Sequence, residues 1–216
     1  MASGSRRPLI VGVVGESGSG KTVVLEMLRS LGAATIEADA VARDVVAPGS
    51  DVLESIADTF GGDFIRADGS LDRKALGRLV FSDEEARRKL NALTHPAMLL
   101  RVKAQIEELA DRDCPPGVVA VEAAVLREMG ALELVDVVIM VKAPRALRLE
   151  RIRRRDSLTA DEAEARLAAQ EDAGLGRLEA DHVVDNGRDV ACTRQQVRTV
   201  WQCIMEALPP GVQGQQ

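Results

Sequence analysis

Residues 9–22 read LIVGVVGESGSGKT. The first six, Leu9 to Val14, are apolar and rich in β-branched side chains. They read as a central parallel strand, buried on both faces and therefore without alternation. The next eight satisfy G-x-x-x-x-G-K-[ST] without a mismatch. Through Gly15, Glu16, Ser17, Gly18, Ser19 and Gly20 such a backbone wraps an anion, its N–H groups and the following helix N-terminus facing phosphate oxygens. Lys21 adds a point charge at the β- and γ-phosphates of ATP, and the Thr22 hydroxyl is placed to ligate Mg²⁺. The pattern predicts a helix from about Gly20 to Leu31, with Leu25, Leu28 and Leu31 on one face and Gly32 as its stop. ATIEAD at 34–39 then reads as a second strand that carries Glu37 and Asp39 at its C-terminal end. Strand, helix and strand within thirty residues make a βαβ unit and imply a parallel sheet.

Beyond this unit the chain turns helical. Leu53, Ile56, Ala57 and Phe60 follow helical spacing and Gly61-Gly62 closes that helix. Ser82 with Glu85 reads as a capping box for a helix toward Leu93, which Pro96 should break. Leu99, Val102, Ile106 and Leu109 define the next one, and CPPG at 114–117 ends the block. Strands are expected again at 118–122 (VVAVE), 137–141 (VVIMV) and 182–186 (HVVDN). A charged helical pair spans 145–180, its second half capped by Thr159 and Glu162. Val197, Val200, Trp201, Ile204, Met205 and Leu208 form a closing stripe that should seal one face of the sheet. The tail PPGVQGQQ reads as frayed.

Composition narrows the function classes. A net charge of −6 provides no general attraction to nucleic acid or anionic lipid, so any anion site must be local. No apolar run approaches a membrane span, and Cys114, Cys192 and Cys203 form no CxxC pair, which suits a reducing, cytoplasmic compartment. A phosphate cradle alone does not separate kinases from GTPases or motor ATPases, so the acceptor side decides. A carboxylate at Asp39, outside the carboxyl end of a strand, can accept the proton of an attacking hydroxyl. The other reading of Asp39 is a cap for a helix beginning near Ala40. Glu122, ending the third strand, occupies the place of an acid that holds Mg²⁺ through water, or is an ordinary strand-end acid. Arg148, Arg151 and Arg155 are spaced i, i+3, i+7 and share one helix face. Arginines at 151 and 155 closing over the phosphates would offset the charge of the transferring group and exclude water, whereas Arg153 and Arg154 read as solvated.

Several separated stretches carry a family resemblance: GESGSGKT, IEADAVARDVVAPG at 36–49, LDRKALGRLVF at 71–81, LNALTHP at 90–96, RLERIRRRD at 148–156, ARLAAQ at 165–170 and ADHVVDNG at 180–187. Over residues 9–187 the chain resembles dephospho-CoA kinase. The resemblance implies a P-loop kinase fold, α/β, with a five-stranded parallel sheet flanked by helices, a helical acceptor-binding insert and a lid. The core would comprise 8–40, 117–144 and 181–208, the insert about 41–116 and the lid about 145–180. It also implies transfer of the ATP γ-phosphate to the 3′-hydroxyl of dephospho-CoA. Asp39 falls on the general base, and Arg151 and Arg155 on the lid arginines, while Arg43, His95 and Glu122 are expected on the substrate side. For His95 a plain helix-end role before Pro96 stands beside this. Partners are expected to be small molecules only, with the protein a monomer or weak oligomer. The chain departs from the family at Glu37, at AVLRE (124–128), which keeps only Leu126 and Glu128 of the usual run, and at Gly176, where Arg177 stands next to a commonly basic position. A kinase of another nucleoside-like acceptor and a non-catalytic nucleotide-binding relative are the rival readings.

Overall fold

The structure, a computed structural model, describes residues 7–112, 116–122, 126, 129–171 and 179–208. Most of AVLRE, Gly176, Arg177, Cys114 and the tail therefore lie outside the described residues. The chain divides into two compact units, one formed by residues up to Thr35 together with those from Leu109 onward, the other by Ile36–Glu108.

The first unit is built on a sheet. Its strands are β1 (Leu9–Val14), β2 (Ala34–Ile36), β3 (Val118–Glu122), β4 (Val137–Lys142) and β5 (His182–Asp185), in the order β2-β3-β1-β4-β5. β1 pairs in parallel with β3 and β4, and β4 in parallel with β5. Ile10 and Val14 on one face of β1 are as fully buried as Val11 and Val13 on the other, which is why this strand shows no alternation. Helices α1 (Lys21–Ser30) and α8 (Val190–Ala207) cover one face. Leu25 and Leu28 from α1 and Val197, Val200 and Ile204 from α8 meet Val11, Val13, Ile139 and Val141 there. Trp201 and Met205 pack at the margin of the cluster.

Helices α6 (Arg145–Asp156) and α7 (Ala160–Glu171) follow β4. Ile152 packs against Ala163 and Leu167, and Arg145 pairs with Glu164 at 2.6 Å. The turn between them passes through Ser157 at φ 54°, a left-handed conformation that a residue with a Cβ seldom adopts. The predicted capping box is present: the Thr159 N–H donates to Glu162 Oε2 at 2.8 Å, and the Glu162 N–H donates back to Thr159 Oγ1 at 3.3 Å. These bonds, the backbone one first, hold the Glu162 carboxyl below its ordinary value.

The second unit contains α2 (Ala38–Asp44), α3 (Asp51–Phe60), α4 (Arg73–Ser82) and most of α5 (Glu84–Ala110). Its own core is Val46, Leu53, Ile56, Leu71 and Leu76, with Phe60 and Phe64 edge to face at 6.5 Å.

Three expectations change here. α5 runs unbroken through Pro96. Proline removes one backbone hydrogen bond and crowds the preceding turn, at about 3 kcal/mol. Burying Met98 and Val102 beyond it recovers about 1.5–3 kcal/mol each, so continuing the helix is the better outcome. Ser82 does not cap α5. It ends α4 with its hydroxyl donating to the carbonyls of Arg78 and Leu79, while Asp83 Oδ1 accepts the N–H groups of Glu85 and Ala86 at 2.8 and 3.0 Å. The second strand stops at Ile36, and α2 starts two residues later. Asp39 is therefore the second residue of a helix and neither a strand end nor a cap. The capping position belongs to Glu37, whose side chain makes no capping bond.

Candidate functional site

The loop after β1 stands at the carboxyl end of the sheet, where the chain leaves β1 past β3 to reach β2 and later returns across β1 to β4. Glu122, the last residue of β3, is in register with Val13. That pairing carries its carboxylate to the loop: Oε1 lies 3.7 Å from Lys21 Nζ, with both side chains largely buried. Lys21 Nζ also donates to the Glu16 carbonyl at 3.5 Å. Thr22, exposed on the first turn of α1, presents its hydroxyl at the helix N-terminus.

The outer side of the loop is tied down by three side chains from two later parts of the chain. Arg148, 4% exposed, pairs with Glu16 at 2.7 Å and donates through Nε to the Ser17 carbonyl at 3.2 Å. Arg151 donates to the carbonyls of Gly18, Ser19 and Asn186 at 3.2, 3.3 and 3.1 Å. Asn186, buried, donates through Nδ2 to the Ser19 carbonyl at 2.7 Å. Gly18, at φ 76°, leaves no room for a side chain, since a Cβ there would stand 2.6 Å from the Arg148 carbonyl oxygen. Carbonyl and N–H point in opposite directions across a planar trans peptide. With Ser17 and Ser19 carbonyls held outward, the N–H groups of Gly18 and Gly20 face the inside of the loop. An inward row of N–H groups, a lysine and a helix N-terminus is a cradle for phosphate, and the residues present fit a nucleotide's polyphosphate.

Arg148 and Arg151 are therefore both part of the loop's foundation. Arg148→Met is expected to lower stability by about 3 kcal/mol, because it strips a partner from a carboxylate that is itself 29% exposed. Urea denaturation measures this, and a loss below about 1 kcal/mol would mean that the pair is effectively solvated. Arg155 lies one turn beyond Arg151, exposed, with its guanidinium on Asp156 at 2.8 and 2.9 Å.

The helical unit holds a second group of charges. Asp39 and Arg43, one turn apart on α2, are both exposed. Arg73, the first residue of α4, donates to the Ala42 carbonyl at 3.0 Å. Burial, and behind it the like charge of Arg43, push the Arg73 guanidinium below its ordinary value, while Asp39 acts in the opposite sense. His95 lies within α5, half-buried. Among the described residues no three His, Cys, Asp or Glu side chains gather as a metal cluster.

Sequence reasoning brought forward Gly15 to Thr22 and Glu122, and the structure brings Lys21 and Glu122 together. It missed Asn186 and Arg73, and it read Arg148 only as one member of a helix face shared with Arg151 and Arg155. Arg73 and Asn186 both lay in stretches that carried the family resemblance, which was the one available signal. The DNG sequence around Asn186 otherwise reads as a plain turn.

The family model for dephospho-CoA kinase matches residues 9–191. A dephospho-CoA kinase of Moorella thermoacetica is 43% identical over 193 residues, 89% of this chain and 91% of that protein. Another, of Anaeromyxobacter dehalogenans, is 44% identical over 82% of this chain and 83% of that protein. The solved dephospho-CoA kinase from Campylobacter jejuni superposes with a TM-score of 0.60 at 28% identity, covering 92% of this chain and 98% of that one. With a family match over most of its length and relatives above two-fifths identity covered nearly end to end, the chain belongs to the dephospho-CoA kinase family.

Proposed function

We propose that the chain transfers the γ-phosphoryl group of ATP to the 3′-hydroxyl of dephospho-CoA, giving coenzyme A and ADP. The observation that carries this reading is the complete loop Gly15–Thr22, with its carbonyls tied outward and Lys21 beside Glu122, in a chain of this family.

In this reading the inward N–H groups and Lys21 bind the β- and γ-phosphates and stabilise charge as it moves toward the leaving oxygen. Thr22 and Glu122 are the residues that would hold Mg²⁺, Thr22 directly and Glu122 through water. When bound, the ion neutralises charge between the β- and γ-phosphates. Asp39 accepts the proton of the 3′-hydroxyl as that oxygen attacks phosphorus. Arg43 and His95 hold the acceptor, and Arg151 and Arg155 offset charge on the transferring group. Residues 41–116 act as the acceptor insert and 145–180 as the lid. The protein works in the cytoplasm as a monomer or weak oligomer, without nucleic acid or membrane. Among the described residues no helix is long and apolar enough to cross a membrane.

Two measurements test the reading. MgATP at about a hundredfold excess over its Kd should stabilise the fold by about 2.7 kcal/mol. That corresponds to a rise in Tm of roughly 5–10 °C for a chain of this size. No shift at saturating MgATP would end the assignment of the loop. ADP release should depend on dephospho-CoA, and release with a nucleoside but not with dephospho-CoA would replace the acceptor.

A further inference from the structure

Asn186 follows β5 and is 4% exposed. Its two amide atoms do different work. Oδ1 accepts the Thr193 hydroxyl of α8 at 3.1 Å, and Nδ2 donates to the Ser19 carbonyl at 2.7 Å. The Ser19 carbonyl, which can only accept, decides which way the amide faces, and the Thr193 hydroxyl braces the amide from its other side. The single proton of the Thr193 hydroxyl is shared between Asn186 Oδ1 and the Asp189 carbonyl, 3.2 Å away one turn back on the same helix. The amide also fills the space beside Gly20, where a Cβ would overlap Nδ2. Gly20, at φ 96°, is left-handed and opens α1. Its N–H belongs to the peptide whose oxygen Asn186 and Arg151 hold.

We infer that Asn186, braced by Thr193, is a positioning residue for ATP: it fixes the Ser19–Gly20 peptide with its carbonyl outward and so presents the Gly20 N–H to the phosphates before nucleotide arrives. A free glycine peptide of this kind rotates readily, and each turn of the plane would replace a donor by an acceptor facing a phosphate oxygen. Asn186 touches neither the phosphate nor the acceptor in this role. It acts through the backbone of the loop, and its loss therefore weakens nucleotide binding while leaving dephospho-CoA binding unaltered. The inference rests on the reading of the loop as the ATP cradle.

The test uses the whole chain and three variants. Asn186→Leu keeps the branching at Cγ without donor, acceptor or charge. Thr193→Val removes the bracing hydroxyl at constant shape, and Thr193→Ser retains it. Asn186→Leu is expected to raise KM for ATP and the calorimetric Kd for ADP by about tenfold, the weight of one well-placed hydrogen bond. KM for dephospho-CoA should remain within twofold. Thr193→Val should move the ATP constants in the same direction by severalfold, and Thr193→Ser should restore them. Should Asn186→Leu fail to fold, the Thr193 pair decides alone. Equal ATP constants for Thr193→Val and Thr193→Ser would overturn the inference, as would a parallel rise in KM for both substrates in a folded Asn186→Leu. Failure of the underlying reading looks different: the unaltered protein itself would show no MgATP-dependent rise in Tm.

Discussion

Replacing Asp39 by asparagine is expected to lower turnover by about 10²–10⁴-fold, the usual contribution of a positioned general base. The structure makes the substitution a clean one. Asp39 is exposed on the first turn of α2, and the cap position is occupied by Glu37. Asparagine has the same size, so the helix loses only the favourable placement of a negative charge near its N-terminus, about 0.3–1 kcal/mol. Stability should therefore survive while the proton acceptor disappears. KM for ATP should barely move, because the phosphate cradle is made by Gly15–Thr22. Since phosphoryl transfer is mostly positioning and charge stabilisation, the lower half of the range is the more natural result. Steady-state ADP release with dephospho-CoA, next to urea denaturation of the same preparation, separates the two effects. Turnover within about threefold of the parent would leave this carboxylate without a role as base.

Lys21→Ala should reduce turnover by about 10²–10³-fold, the scale of losing one preorganised group aimed at transition-state charge. The loop backbone is held from outside by Arg148, Arg151 and Asn186, none of which contacts Lys21 in the bonds described. The N–H groups thus stay in place when the lysine goes. The variant should retain its circular dichroism spectrum and a diminished response of Tm to MgATP. It also takes one partner from Glu122. A second substitution, Glu122→Gln, added to Lys21→Ala should therefore recover stability but no activity. If Lys21→Ala turns over within threefold of the parent, the loop is not delivering its charge to the reacting phosphate.

What could be read from the sequence followed the strength of the local signal. β1 and β3 cover the expected stretches 9–14 and 118–122, because a strand buried on both faces needs an almost unbroken apolar run, which is visible locally. The loop was legible because close approach of backbone to backbone dictates glycine at fixed spacing, as at Gly18 against Arg148. Pro96 misled because a local penalty was set against tertiary burial that no short window contains. Ser82 and Asp83 are neighbours with equal capping chemistry, so only the path of the backbone chooses between them. Arg148 and Asn186 were illegible for a deeper reason. Each acts on Ser17 or Ser19 across more than a hundred residues of chain, and nothing in their own neighbourhoods records that pairing.

The ties between α6 and the loop have a mechanical consequence. Arg148 and Arg151 clamp the first turns of this helix to backbone carbonyls, whereas Arg155 projects past the last clamp, and the chain reverses soon afterwards at Ser157. The root of α6 and the loop form in effect one casting: Arg148 grips Glu16 and Ser17, and Arg151 grips Gly18 and Ser19, so neither the helix nor the cradle shifts without carrying the other. Through Arg145 on Glu164 and Ile152 on Ala163 and Leu167, the same helix joins the seat of α7 to the phosphate loop.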